Sequence, residues 1–130
     1  MSIYGKVTSN QIDVSKNNII CIPRGDTGEL VLNLNKGTDL NPEQYILQEN
    51  EEIYFGVMEP NQPFEKAIIK KKMSIENLNE DDDIIIRINH DDTKCILPGK
   101  YYYQIKAKFI DNEIYNIKTV VGMTKFFIEE

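Results

Sequence analysis

Apolar residues recur at every second position along most of this chain, in short runs separated by clusters of Gly, Pro, Asn and Asp. Successive side chains of a β-strand point to opposite faces, so this alternation is typical of strands with one buried face. The longest run covers residues 101–109, and its apolar positions are Tyr101, Tyr103, Ile105, Ala107 and Phe109. Helical periodicity is nearly absent. The sequence therefore predicts an all-β fold.

The alternating runs predict seven or eight short strands within one domain. They cover residues 19–22, 30–34, 53–57, 67–71, 84–88, 101–109 and 114–121, and an eighth segment over 125–128 follows a bulge or bend at Gly122. Such a series without helices favours an antiparallel β-sandwich, with immunoglobulin-like topology as the leading choice. The antibody-type core signature is absent, because the chain has no tryptophan. Residues 19–130 are assigned to the sandwich, and residues 1–18 to an N-terminal arm or an edge strand.

The register of the last hairpin follows from the rule that residues directly opposite one another lie on the same face of a sheet. One extra residue in the turn puts Phe109 opposite Tyr115 and Ala107 opposite Ile117, so that apolar side chains meet. A two-residue loop places polar residues opposite apolar ones. We therefore expect a bulge, or a turn longer than two residues, around Asp111 and Asn112.

Charge and reactive residues exclude several classes of function. A formal net charge of −6 disfavours nucleic acid and anionic membranes, which bind proteins largely through basic residues. No stretch approaches the roughly 18 apolar residues of a membrane span, and the first ten residues lack a secretory core, so we expect folding in the cytoplasm. Cys21 and Cys95 lack the paired spacing of zinc sites, and His90 is the only histidine. We expect no metal, no cofactor and no enzymatic activity.

Three further motifs have both a functional and a structural interpretation. The acidic runs 81–83 and 91–92 flank the fifth predicted strand, but at about 3.3 Å per residue they lie roughly 25 Å apart, too far for one calcium site. His90 beside Asp91 is similar to an acid–base pair, yet adjacent strand residues point to opposite faces. The basic run 70–72 could contact phosphates or glycans, but we interpret it as a solvated strand edge that deters aggregation.

A structural corner is predicted before the sixth strand, where the chain reads Leu97-Pro98-Gly99-Lys100-Tyr101. A tyrosine just after a glycine turn at this point can return its hydroxyl to the backbone of the preceding loop, as in a tyrosine corner. The expected corner residues are Asp92, Pro98, Gly99 and Tyr101.

Four segments carry a family resemblance in their order and spacing. They are residues 22–27 with 30–32, residues 52–58, residues 91–105 and residues 119–122. Together they resemble the immunoglobulin-like domains of bacteriophage tail and baseplate proteins, of the type found at the N-terminus of the upper baseplate protein. The similarity runs from about Ile19 to Ile128.

This resemblance implies a virion structural module without catalytic activity. Such a module docks on other tail or baseplate proteins, supports a receptor-binding protein, or associates with copies of itself. The resemblance also implies folding in the bacterial cytoplasm during assembly and a final place in the virion tail. The alternative function is a free-standing β-sandwich module that binds a glycan or another small ligand.

Two sets of residues are candidates for partner contact. The first consists of outward-facing aromatic and apolar side chains: Tyr54, Met58, Phe64 and Tyr102. The second lies ahead of the first recognised strand: Ile3, Tyr4 and Val7. An arm of this kind can pair with the sheet edge of a neighbouring protein. An edge strand of the same sandwich, or a frayed terminus, is the other interpretation.

Overall fold

Two β-sheets pack face to face in the computed structural model, which describes residues 3–38 and 40–130. The strands are β1 (Ile3–Thr8), β2 (Asp13–Val14), β3 (Ile20–Pro23), β4 (Gly28–Gly37), β5 (Pro42–Gln44), β6 (Glu52–Met58), β7 (Ile69–Met73), β8 (Ile84–Ile88), β9 (Gly99–Asp111) and β10 (Ile114–Glu129). Helical structure in the described ranges is limited to one short α-helix, α1 (His90–Thr93), and the 3-10 turns Phe64–Lys66 and Ile75–Asn77. The predicted all-β sandwich is confirmed.

The small sheet is built around β4. β1 pairs antiparallel with one edge of β4, while β8 and β5 pair with successive parts of its other edge. Leu30, Leu32 and Leu34 alternate along β4 and are all buried. This alternation is what gives the small sheet its inward face.

The large sheet has the strand order β2-β3-β10-β9-β6-β7. All its neighbours are antiparallel except β3 and β10, which run parallel. Its inward face contributes an aromatic cluster of Phe55, Tyr103 and Phe126, whose ring centroids lie 5.5–6.4 Å apart. The Tyr103 hydroxyl donates to the carbonyl oxygen of Asn18, so even this buried ring has its polar atom satisfied.

The predicted register of the last hairpin is wrong. The turn is a two-residue loop, Asn112 and Glu113, both with positive φ (51° and 67°), as short hairpin turns require. Phe109 consequently faces Asn116 rather than Tyr115. The prediction assumed that the inward side of β10 is covered along its whole length, but Lys118 on that side is exposed.

The irregularity of this hairpin lies within β10 instead of in the turn. The register shifts between Thr119 and Val121 and again between Val121 and Thr124. These shifts place Val121 opposite Ile105, where both side chains are buried. The bulge expected around Gly122 is therefore present.

The N-terminal segment contains an edge strand of the same sandwich. Residues 3–8 form β1 along β4, and Val7 is buried opposite Leu32. The Val7 N–H donates to the side-chain oxygen of Asn18 at 2.9 Å, so part of the free edge is already occupied. Met1 and Ser2, which belong to the proposed arm, lie outside the described residues.

Candidate functional site

The expected aromatic patch lies on the outer face of the large sheet, the side turned away from the core. Tyr54 pairs with Lys106 across β6 and β9, and Tyr102 pairs with Met58. Tyr54, Tyr102 and the nearby Phe64 are half-buried. These three aromatic residues therefore come together on one surface.

Met58 is an exception, because it has no exposed surface and cannot contact a partner. The chain after Met58 turns back over this face and places Phe64 and Ala67 above Gly56. A Cβ atom at Gly56 would lie 2.8 Å from the Phe64 ring, so only glycine allows this close approach. The returning segment covers the end of β6, and for this reason the expectation for Met58 is wrong.

The candidate contacts of β1 belong to the other sheet. Val7 is buried and therefore unavailable, which contradicts its expected role as a partner contact. Ile3 and Tyr4 are half-buried, and Ile3 packs against the core. The two sets of candidate residues thus do not form one surface.

Basic residues dominate the outer face of the large sheet, although the chain as a whole carries a net charge of −6. The register and the alternation place five lysines and a single glutamate at the outward positions of β6, β7 and β9. These residues are Lys70, Lys72, Lys100, Lys106, Lys108 and Glu52. We call this surface, together with Tyr54, Phe64 and Tyr102, the basic face.

Glu52 is the centre of a polar network on the basic face. Its carboxylate lies 3.1 Å from Lys72 Nζ and 3.7 Å from Lys108 Nζ, and it accepts a 2.7 Å hydrogen bond from the Tyr54 hydroxyl. This hydrogen bond and the Lys72 ammonium hold the pKa of Glu52 below its ordinary value. Burial and the hydrogen bond to Glu52 raise the pKa of Tyr54 to about 12.

This raised pKa predicts a loss of stability in alkaline solution. Unfolded tyrosines lose their proton near pH 10, whereas folded Tyr54 keeps its proton until about pH 12. Its contribution is therefore complete below pH 10 and is lost as the pH rises towards 12. Burial also raises the pKa of Tyr103. The pKa of Tyr45 is raised by burial and by the hydrogen bond to Glu51.

We expect urea unfolding to give a lower free energy at about pH 11 than at about pH 9. The absorbance of tyrosinate is followed against pH in wild type and in Tyr54→Phe. The difference between the two curves is the titration of Tyr54. Glu52→Gln removes the charge and should lower the pKa of Tyr54. A titration of Tyr54 at its ordinary value would show that the network is not formed.

Lysine side chains lie over the aromatic rings of this surface. Lys106 Nζ is 4.9 Å from the centroid of the Phe64 ring, and Lys108 Nζ is 4.1 Å from that of Tyr115. Both distances fall within the range of cation–π attraction. Each of these two rings thus has an ammonium group above one of its faces.

A cleft of about 450 Å³ opens on the β7 side of the basic face. It is lined mainly by Tyr54, Phe64, Glu65 and residues 70–72. Lys70 Nζ donates to the Glu65 carbonyl oxygen at 3.1 Å. Lys71 lies on the opposite face and forms a 2.7 Å salt bridge with Asp92. The basic run is therefore divided between two surfaces. The interpretation from the sequence treated all three lysines as one solvated strand edge.

The tip of the β9–β10 hairpin adds an apolar area next to the basic face. Ile114, Tyr115 and Ile117 have 64%, 57% and 57% of their surface exposed. Sequence reasoning missed these residues because it placed Tyr115 and Ile117 in the core. Asn112 tolerates the positive φ of a two-residue turn, but Glu113 does not favour it, so the sequence carries little signal for the shorter loop.

The structural corner is formed by the segment that precedes β9. The Tyr101 hydroxyl donates to the Leu97 carbonyl oxygen at 2.6 Å, and the Tyr101 ring packs against the core. Asp92 accepts a 2.7 Å hydrogen bond from the backbone N–H of Asn89, at the start of α1. These contacts make the corner a rigid connection between α1 and β9.

Tyr101→Phe should therefore destabilise the domain by about 1 kcal/mol, because it removes one hydrogen bond and preserves the packed ring. Tyr102→Phe is the matched control on the opposite face and should be nearly neutral. Urea melts of both variants make the comparison. Equal losses for the two variants would contradict the role of the Tyr101 hydroxyl.

The remaining reactive residues are dispersed. His90 Nδ1 lies 2.7 Å from the Gly25 carbonyl oxygen, so the ring holds the turn between β3 and β4. Cys21 is half-buried, Cys95 is exposed, and neither belongs to a disulfide. No group of three potential metal ligands occurs within the described ranges.

No family model matches this chain, and no curated protein matches it. In the part of the chain that the structure describes, none of the helices has the length and apolar character needed to cross a membrane.

Proposed function

We propose that this chain is a non-enzymatic structural module of a phage or prophage tail or baseplate, and that it acts through protein–protein contacts. The basic face is the observation that carries the proposal. It combines lysines and aromatic rings with the exposed Tyr115 and Ile117 of the neighbouring hairpin on one side of the sheet. Aromatic residues are enriched in the buried centres of protein interfaces, and charged residues confer specificity at their rims.

The order of the strands supports the immunoglobulin-like part of this proposal. In that topology the second and fifth strands pair in one sheet, and the third, sixth and seventh form the other. Counted from β3 as in the sequence prediction, the second and fifth strands are β4 and β8, which pair. The third, sixth and seventh are β6, β9 and β10, which are neighbours in the large sheet.

A free-standing ligand-binding module is the second candidate function. The cleft beside Phe64 favours it, because an aromatic floor with lysines at the rim suits a small anionic ligand. A glycan with acidic groups is the ligand class that this chemistry would recognise.

Mass spectrometry of particles purified from cells that carry the gene distinguishes the two functions. We expect the chain at a constant ratio to the tail proteins, and we expect the encoding gene to lie among tail and lysis genes. Absence from the particles, together with binding to acidic oligosaccharides, would replace the structural function with the second candidate.

A further inference from the structure

We propose that the basic face of one copy of this chain receives the acidic loop, residues 80–83, of a second copy. This inference rests on the proposed function only in assigning the basic face to protein contacts. It goes further in naming the partner and the segment that binds. Two features of the same chain carry it, an excess of positive charge on one surface and of negative charge on another.

The basic face carries positive charge that the described residues do not neutralise. The one carboxylate at its outward strand positions, Glu52, is shared by Lys72 and Lys108, and Glu65 in the neighbouring cleft forms no salt bridge within the described ranges. Lys70, Lys100 and Lys106 have no carboxylate within salt-bridge distance in the described ranges. An acidic segment placed on this surface would supply the missing counter-charges.

The acidic loop is a rigid segment that displays carboxylates. The Asn79 side-chain oxygen accepts from the backbone N–H groups of Asp81 and Asp83, and the Asn79 N–H donates to the Asp83 carbonyl oxygen. Glu80, Asp81 and Asp82 are exposed and form no ion pair within the described part of the chain. Because the loop is already ordered, binding would cost little conformational entropy.

A protein partner fits this surface better than a nucleic acid does. Proteins that bind single strands present free aromatic faces on which bases stack. Here Lys106 lies over Phe64 and Lys108 over Tyr115, so one face of each of these rings already holds an ammonium group.

The net charge of −6 does not prevent two copies from associating. Exposed charges are screened beyond about 8 Å at physiological ionic strength, so the local match of loop and face outweighs distant repulsion. The contact joins different surfaces of the two copies. It is therefore heterologous and produces a ring or an open chain of copies.

Sedimentation velocity over a range of protein concentrations tests this inference. At about 0.05 M salt the average mass should rise above the 15.1 kDa of the monomer, and at about 0.5 M salt it should return to that value. Lys70→Glu with Lys106→Glu, and separately Glu80→Lys with Asp81→Lys, should each abolish association. The loop variant leaves Asp82 unchanged because its φ of +61° disfavours a longer side chain. It also leaves Asp83 unchanged, because the Asp83 carboxylate accepts a hydrogen bond from the Asn33 side chain.

Mixing the two double variants is the decisive control. Each variant alone carries like charges on loop and face, whereas the mixture restores opposite charges at every contact, so association should return. Circular dichroism verifies that both variants are folded. A wild type that stays monomeric at low salt, or a mixture that does not associate, would overturn the inference without affecting the particle experiment.

Binding of single-stranded DNA by such a monomer, lost in the face variant, would assign the surface to nucleic acid instead.

Discussion

Phe126→Ala is expected to destabilise the protein by about 4 kcal/mol, the largest effect that we predict for a single substitution. Phe126 has no exposed surface and lies between the rings of Phe55 and Tyr103 at centroid distances of 6.4 and 6.1 Å. Phe55, Tyr103 and Phe126 form an aromatic cluster that joins β6, β9 and β10. Removal of the Phe126 ring leaves a cavity in this cluster. The variant loses the transfer free energy of the buried ring and in addition bears the cost of the cavity.

Phe127→Ala is the matched control for this substitution. Phe127 is the next residue on β10, half-buried on the outer face opposite Lys100. Its truncation should cost only about 1 kcal/mol, since much of the ring is already in contact with water. Urea melts of the two variants compare the faces directly. Similar losses would mean that the register of β10 after the bulge is incorrect.

Glu51→Ala should destabilise the protein by about 3 kcal/mol, because the Glu51 carboxylate is buried and fully hydrogen-bonded. It is 1% exposed and accepts from the Tyr45 hydroxyl at 2.7 Å, from the Gln48 N–H at 2.8 Å and from the Ile110 N–H at 2.9 Å. Alanine leaves these donors without an acceptor. The segment that carries Tyr45 over Phe109 would then lose its attachment to β9.

Glu49→Ala provides the comparison, since Glu49 is exposed two residues away and should contribute nothing measurable. Chemical denaturation of both variants gives the difference in unfolding free energy. Hydrogen exchange at the Ile110 amide offers a second readout, which should accelerate in Glu51→Ala only. Equal stability of the two variants would exclude the structural role of the buried carboxylate.

The strands with apolar residues on one face could be predicted from the sequence, and those without such a face could not. Ile84, Ile86 and Ile88 alternate along β8 and are all buried, as the pattern requires. β1 was harder to recognise because Gly5 occupies an inward position opposite Leu34, where a Cβ atom would lie 2.7 Å from the Leu32 side chain. β2 and β5 have two and three residues, too few to show a period.

The candidate site could be predicted only in part, because it depends on which strands are neighbours. Tyr54 and Tyr102 were placed outward by alternation alone. The basic face requires β7 and β9 to lie on either side of β6, so that the lysines of two strands distant in sequence meet. A sequence pattern reports the face of a residue within its strand but not the order of the strands.

Incorporation of variants into particles tests the central claim, that the basic face is the surface through which this module docks. Lys70→Glu with Lys106→Glu should reduce the amount of chain in purified particles by about tenfold or more, equivalent to roughly 1.4 kcal/mol of lost binding. Lys6→Glu with Lys16→Glu changes the net charge equally at exposed positions away from the basic face and should incorporate like wild type. Equal incorporation of both double variants would contradict the account.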